Sequence, residues 1–300
     1  MSAPRPAAPP AEIDVCICTF RRTSLADTLA SLDAQVGAPP FRIIVADNDD
    51  HPGAKAVIAA ARTRGQAVTY VHAPARNISI ARNACLAAAT APFIAWIDDD
   101  ERAPSDWLAG LRRALDRAGA DAVFGPVRAV YPPCAPAWAV RADLHSTRAV
   151  ETASGVATGY TSNALVRRAA MGDLQFDPAL GRSGGEDTDL FWRMHARGAR
   201  LAAASDAPVT EEVDPTRLTL AWLARRAFRS GQSHGLRFVG SPARRAAAVP
   251  PAAVKAAACL ALAAFGAADP AAWRRQLVRA ALHAGVVSRL LGLREGILYG

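Results

Sequence analysis

"IAWIDDDERAPSDWL", Ile94 to Leu108, drives a strand-like apolar run straight into three aspartates and a glutamate. Packed carboxylates repel one another, and burial makes the repulsion worse. A cation, a basic partner or plain water must neutralise them. The flanking sequence says where they sit.

From Ile13 to about Phe124 short apolar runs alternate with helix-period stretches. "IDVCICT" (13–19), "FRIIVAD" (41–47), "AVTYVHA" (67–73), "PFIAWI" (92–97) and "DAVFGPV" (121–127) read as strands. Helical stretches fill the gaps: "LADTLASLDAQ" after the cap candidates Thr23 and Ser24, "GAKAVIAAARTRG" closed by Gly65, "SIARNACLAAAT" after Asn77, and "SDWLAGLRRALDRAG" capped by Ser105. Such alternation predicts an α/β fold, a doubly wound and mostly parallel sheet with helices on both faces. Ligands bind such a sheet outside the carboxyl ends of its strands. Thr19, Asp47 and Asp98–Asp100 all stand at those ends. The aspartates thus face the place where a polar ligand would lie, although a solvated loop is the plain account of any one of them.

Beyond the fifth strand, "YPPCAPAWAV" from Tyr131 reads as an irregular excursion from the sheet. "ATGYTSNALVRRAAM" (157–171) restarts a strand and runs into a short helix. "LGRSGGEDTDLFWRMHARGARL" (180–201) brings a Gly-rich approach, a helix opening at Glu186–Asp187 and its end at Gly198. Carboxylates there suit the helix dipole. The Gly184–Gly185 pair before them suggests a mobile loop.

The chain has 300 residues, 51% hydrophobic, enough for one large domain or two small ones. We divide it into a disordered Pro/Ala lead-in (1–11), a catalytic domain (12–240) and a helical C-terminal segment (241–300). The lead-in lacks the basic start and apolar core of a secretory signal. Five scattered cysteines and no metal-spaced histidine pair point to a reduced, cytoplasmic setting. Cys16 and Cys18 share one face of a strand. The formal charge of +8 concentrates in "LARRAFRSGQSHGLRF" (223–238), "SPARR" and "WRRQLVR". No zinc-finger or RNA-recognition signature accompanies it, which excludes nucleic acid and favours a membrane surface.

Five motifs in order carry a resemblance: "ICTFRR", "IIVADN", "NISIARN", "IDDDE" and "GGEDTDLFWR". Together, over about Ile13 to Gly235, they resemble family 2 glycosyltransferases of the GT-A fold. In detail they are similar to the subgroup that builds bacterial exopolysaccharides such as succinoglycan. The resemblance implies inverting transfer of a sugar from a nucleotide-sugar, normally a UDP-sugar, with Mg²⁺ or Mn²⁺. It implies a saccharide or lipid-linked acceptor and a place at the inner face of the cell membrane. It puts the metal on Asp100 with Asp98, and Asp98 or Asp99 near the ribose. Thr19 and Asp47 map to the nucleotide pocket, Asp47 accepting a hydrogen bond from uracil. Asn77 and Arg82 line that pocket, unless Arg82 instead braces the aspartates.

The same resemblance makes Asp187 the general base, with Glu186 orienting the loop and Asp189 as the alternative base. Asn163, in "TSNAL", maps beneath the donor sugar. Trp138 would either stack on an acceptor sugar or be buried. Many GT-A enzymes carry a late metal-binding histidine, but this chain reads "PVTEEVDPTR" there, leaving either Glu211 or Glu212 as a substitute oxygen ligand or a metal that holds more water. One of Arg225, Arg226 and Arg229 would clamp the diphosphate, unless they simply face solvent.

Two other functions compete. A nucleotidyltransferase acting on sugar phosphates needs a Gly-rich loop with a lysine after strand one, and "CTFRRTSLAD" has neither. An inactive binding protein would have no need of Asp100 and Asp187. At the tail, "AAVKAAACLALAAFGAA" falls short of the ~20 apolar residues of a membrane span. Two arrangements suit it. Its helices lie in the membrane interface with Arg274, Arg275 and Arg279 on anionic headgroups, or they pack as a hairpin on the catalytic domain.

Overall fold

The computed structural model of the protein describes residues 10–152, 155–236 and 242–293, so most of the lead-in lies outside the described residues. Strands β1 (Ile13–Thr19), β2 (Phe41–Asp47), β3 (Val68–His72) and β4 (Phe93–Ile97) alternate with helices α1 (Leu25–Asp33), α2 (Lys55–Thr63) and α3 (Ile78–Ala88). The two-residue β5 (Glu101–Arg102), helix α4 (Trp107–Ala118), β6 (Ala122–Phe124), β7 (Val127–Val130) and α5 (Ala137–Ala142) follow. After a small hairpin, β8 (Glu151–Thr152) and β9 (Gly155–Val156), come β10 (Asn163–Arg167), α6 (Arg168–Met171), α7 (Glu186–Ala196), β11 (Leu201–Ala203) and β12 (Val209–Glu212). Helices α8 (Leu220–Gly235), α9 (Pro242–Phe265) and α10 (Pro270–Leu290) end the described chain.

The main sheet has the order β11-β6-β10-β4-β1-β2-β3. It is parallel except for β10, which runs antiparallel to both β4 and β6. Side chains alternate across it, so each strand feeds two apolar layers. Val15, Ile17 and Val45 point into one with Trp107 and Leu111; Cys16, Ile44 and Trp96 point into the other with Phe124 and Phe191. That two-sided burial is why β1 and β2 read as unbroken apolar runs. The thiols of Cys16, Cys18 and Cys85 are free, as core side chains there would be.

The apolar run expected as one strand over 121–127 is broken at Gly125–Pro126. Its first half, β6, stays in the main sheet; its second, β7, joins a separate sheet ordered β5-β12-β7. Gly125 makes the crossing possible, because a Cβ there would fall 2.3 Å from Asn163 Nδ2 and 2.4 Å from Ala207 O. The second sheet brings Glu211 of β12 beside Glu101 of β5, immediately after the aspartates. The excursion after Tyr131 holds the short helix α5 rather than being wholly irregular. Helix α4 starts at Trp107 with Asp106 ahead of it and no side-chain cap, so Ser105 is not its cap.

The tail forms a helical hairpin on the catalytic unit. Helix α10 crosses α8 so closely that a Cβ at Gly231 would lie 1.9 Å from Leu282 O, and one at Gly285 1.8 Å from Phe228 O. Helix α9 lies along α10 and runs 24 residues, longer than its apolar stretch alone suggested and long and apolar enough to cross a membrane.

Candidate active site

The end of β4 places Asp98, Asp99 and Asp100 at the carboxyl edge of the sheet beside the end of β1. Burial pushes the Asp98 carboxyl up to about 7; Arg82 opposes the shift and Asp100, Asp99 and Glu211 add to it. Burial likewise takes Asp99 up to about 6, while the Thr19 hydroxyl favours its ionised form. Asp99 Oδ2 is buried without a hydrogen-bond partner. Asp100 is partly open and meets Arg22 at 3.4 Å. Glu101, buried, accepts the Asp98 N–H at 2.8 Å and so fixes the turn that presents the aspartates. Burial raises the Glu101 pKa well above its usual range.

The second acidic centre opens α7. Gly184 and Gly185 take φ of 90° and 93°, and a Cβ on Gly185 would strike Ser233 Oγ at 2.5 Å. This is a positional reason for the glycine pair. Glu186 is buried against the Arg82 guanidinium, a charge-assisted pair from α3 to α7. Burial raises the Glu186 pKa and Arg82 works against it. The charges of Glu186, Asp187 and Asp98, in that order, favour the protonated Arg82 against its own burial. Arg82 therefore braces Glu186, and its charge is felt by Asp98 at the end of β4. Asp187, half-buried, accepts the Thr188 N–H at 2.6 Å. Asp189 is committed to Arg193 at 2.7 Å along the same helix.

Other residues expected at the site make contacts within the scaffold. Asp47 is buried, and its oxygens accept from Asp49 N–H at 3.1 Å, Ala54 N–H at 3.0 Å and Tyr70 O–H at 2.9 Å. It organises the turn after β2. Asn77 caps α3 through the Ile80 N–H and donates to Pro178 O at 2.9 Å. Asn163 uses its whole amide, donating to Pro126 O and Ala207 O and accepting from Trp107 Nε1. No donor of Asn163 is left for a sugar hydroxyl. Trp138 is half-buried beneath Arg274, whose guanidinium carbon lies 4.8 Å from its ring centre.

Of the two candidate substitutes for the missing histidine, Glu211 faces the aspartates. Burial raises its pKa, Asp100 adds to the rise, and Arg217 pairs with it at 2.9 Å. Glu212 points outward towards Arg102 at 3.4 Å. Arg226 lies over the Trp222 ring at 5.5 Å and helps hold Glu211 ionised, while Arg225 is exposed. Sequence reasoning missed Arg22 and Glu101. Their adjacency to "DDD" and to the first strand end was the available signal.

A divalent cation fits this donor set. Asp98, Asp99 and Asp100 supply hard oxygen ligands, one of them orphaned, with too little positive charge nearby to match. Among the described residues no three His, Cys, Asp or Glu side chains converge as a finished cage. That suits a cation held by one or two carboxylates, with phosphate oxygens and water completing its shell. A cleft of about 880 Å³ lies elsewhere, beside β7 and residues 143–151.

Residues 14–174 match glycosyl transferase family 2. A succinoglycan biosynthesis protein of Rhizobium meliloti, ExoM, is 46% identical over 297 residues, covering 96% of each chain. Among solved structures, the mannosyltransferase PcManGT of Pyrobaculum calidifontis, in complex with GDP-Man and Mn²⁺, superposes with a TM-score of 0.60 at 20% identity, over 91% of this chain and 86% of that one. S. aureus TarS 1–349 in complex with UDP does so at 0.53 and 15%, over 89% and 90%. Both likenesses are of fold. The family match and the R. meliloti relative agree: the chain belongs to glycosyl transferase family 2, a glycosyltransferase on the GT-A fold.

Proposed function

We propose that the protein moves a sugar, with inversion at the anomeric carbon, from a UDP-sugar to a saccharide acceptor in exopolysaccharide synthesis of the succinoglycan kind. The observation that carries this reading is Arg82, which ties the strand-end aspartates to the first turn of α7. A donor diphosphate at Asp98–Asp100 then has a carboxylate, Asp187, across from it. The name of the R. meliloti relative supports the polymer class, and the nucleotides bound by the two fold neighbours support the donor class.

Asp100, with Asp98, would hold a Mg²⁺ or Mn²⁺ ion, which when bound offsets the charge that builds on the departing diphosphate. Asp187 accepts the proton of the acceptor hydroxyl as that oxygen attacks the anomeric carbon. Glu186 cannot share this work, because it holds Arg82; Asp189 cannot, because Arg193 occupies it. Glu101 keeps the aspartate turn in shape.

Asp187→Asn tests the assignment, since it keeps the shape and removes the proton acceptor. Transfer should fall by ~10²- to 10⁴-fold with UDP-sugar affinity near that of the parent. The assay is a panel of nucleotide sugars with a saccharide acceptor, with and without Mn²⁺. Parental turnover in the variant would place the base elsewhere.

A further inference from the structure

Helix α9 turns the wrong kind of surface outward. Its buried positions, Ala252, Cys259 and Ala263, form one stripe. The opposite face is open, with Val254 at 67%, Leu260 at 54%, Leu262 at 53% and Phe265 at 89% exposure. From Ala246 to Phe265 its one charged residue is Lys255. A surface helix of a soluble protein normally turns charge to water, and contiguous exposed apolar surface marks an interaction site.

Charge says what covers it. Of 35 Lys and Arg, 13 follow residue 214, but of 27 Asp and Glu only Asp269 and Glu295 do. The last 86 residues therefore carry a formal +11 and the remainder −3. Lys255 of α9 and Arg279 of α10 converge on His283, whose pKa burial and then these two charges hold down. A second copy of this chain would bring the same positive charge to the contact. An anionic lipid surface brings the opposite charge and an apolar layer together.

We propose that α9 docks on an anionic lipid bilayer, lying in the plane of the interface. The amphipathic unit is the helix pair: α9 supplies the apolar outer layer, and Lys255 of α9 with Arg279 of α10, both exposed, supply the positive charge beside it. Length alone would let α9 span a bilayer, but packing forbids it. Helix α10 is locked on α8 by the glycine contacts, and its arginines are costly in hydrocarbon. To cross, α9 would have to leave α10. The docked face also has a fixed position on the enzyme. The turn between α9 and α10 is fastened to α5 by Arg141–Asp269 at 2.6 Å, and Arg275 donates to Arg141 O at 3.2 Å. Phe265 therefore enters the lipid at the α5 end of the molecule. Docking stands on these residues alone and is independent of the transfer chemistry.

Co-sedimentation of the full chain with phosphatidylcholine vesicles, with and without phosphatidylglycerol, tests this. The protein should sediment with the anionic vesicles and be released by salt, as screening shortens the attraction of each basic side chain. Leu262→Asp with Phe265→Asp, both exposed, should weaken partitioning at least about tenfold at unchanged melting temperature and UDP binding. Lys255→Glu with Arg279→Glu should remove the preference for phosphatidylglycerol. Three results overturn the proposal. One is absence of sedimentation with either vesicle; another is equal partitioning of parent and Leu262→Asp/Phe265→Asp protein. The third is a dimer in light scattering that the same double variant disperses, which assigns the face to a second copy.

Discussion

Asp47 and Asp99 occupy equivalent places, each where a strand of the sheet gives way to its turn, and both are buried. Asp47 accepts three hydrogen bonds from its own turn and from Tyr70. Asp99 keeps one oxygen without a partner and stands between two more aspartates. A buried acceptor with its bonds made holds structure together, whereas one left wanting at a strand's carboxyl end has room for a ligand to complete it. The same contrast separates Asn163, its amide fully used, from the Asp98–Asp100 group. Position in the fold narrows the candidates, and the completeness of each residue's bonding sorts them.

The sharpest break of that comparison is at Arg82. Arg82→Met strips Glu186 of its partner inside the protein and removes the cation beside Asp98. Losing one partner of a buried pair costs about 3–5 kcal/mol, so the urea midpoint should drop accordingly. Arg82→Met with Glu186→Leu should recover much of the loss. If the single variant is as stable as the parent, Arg82 does not brace the two centres.

Next in size is the pH dependence of stability. Burial raises the Asp98 pKa in the folded protein from its ordinary value to about 7. The folded state therefore holds this proton longer than the unfolded chain does. The stability contribution is fullest below the ordinary carboxylate pKa and is lost as pH rises towards about 7. The span corresponds to roughly 2–4 kcal/mol. Urea unfolding from pH 4.5 to pH 7.5 should show this decline in the metal-free parent and a shallower one in Asp98→Asn, where Asp99 and the buried glutamates still titrate. Parallel profiles for the two proteins would contradict the electrostatic account.

The smallest effect separates the two strand ends directly. Asp47→Ala orphans two backbone N–H groups and should cost about 1–3 kcal/mol. Asp99→Asn relieves repulsion and should leave the apo protein as stable as the parent or more so. Calorimetric melting of the two variants side by side reads the difference, and equal losses would erase it.

Much of this was legible in the chain. Strands β1 and β2 end where their apolar runs end, because both faces of a parallel strand are buried and its limits show as changes of residue type. The split between β6 and β7 was not legible, since "AVF" and "VRAV" differ little in character and nothing local assigns them to different sheets. It depends on Asn163 and Ala207, brought to Gly125 from 38 and 82 residues away. Asp47, Asn77 and Asn163 were readable as polar residues at the right edge, but whether their lone pairs and protons are already spoken for is a property of the assembled fold. Glu101 shows the reverse. It looks like one more charge in the acidic run, yet it turns inward to hold the Asp98 amide.

The central claim is that Asp98–Asp100 are left short of positive charge in order to hold a cation against a nucleoside diphosphate. Titration calorimetry of UDP into the parent and into Asp100→Asn, each with and without Mn²⁺, tests it most directly. In the parent, Mn²⁺ should tighten UDP binding by at least about tenfold, one or two charge-assisted contacts' worth. In Asp100→Asn that enhancement should vanish while metal-free affinity and melting temperature hold. The same Mn²⁺-dependent gain in both proteins would contradict the account.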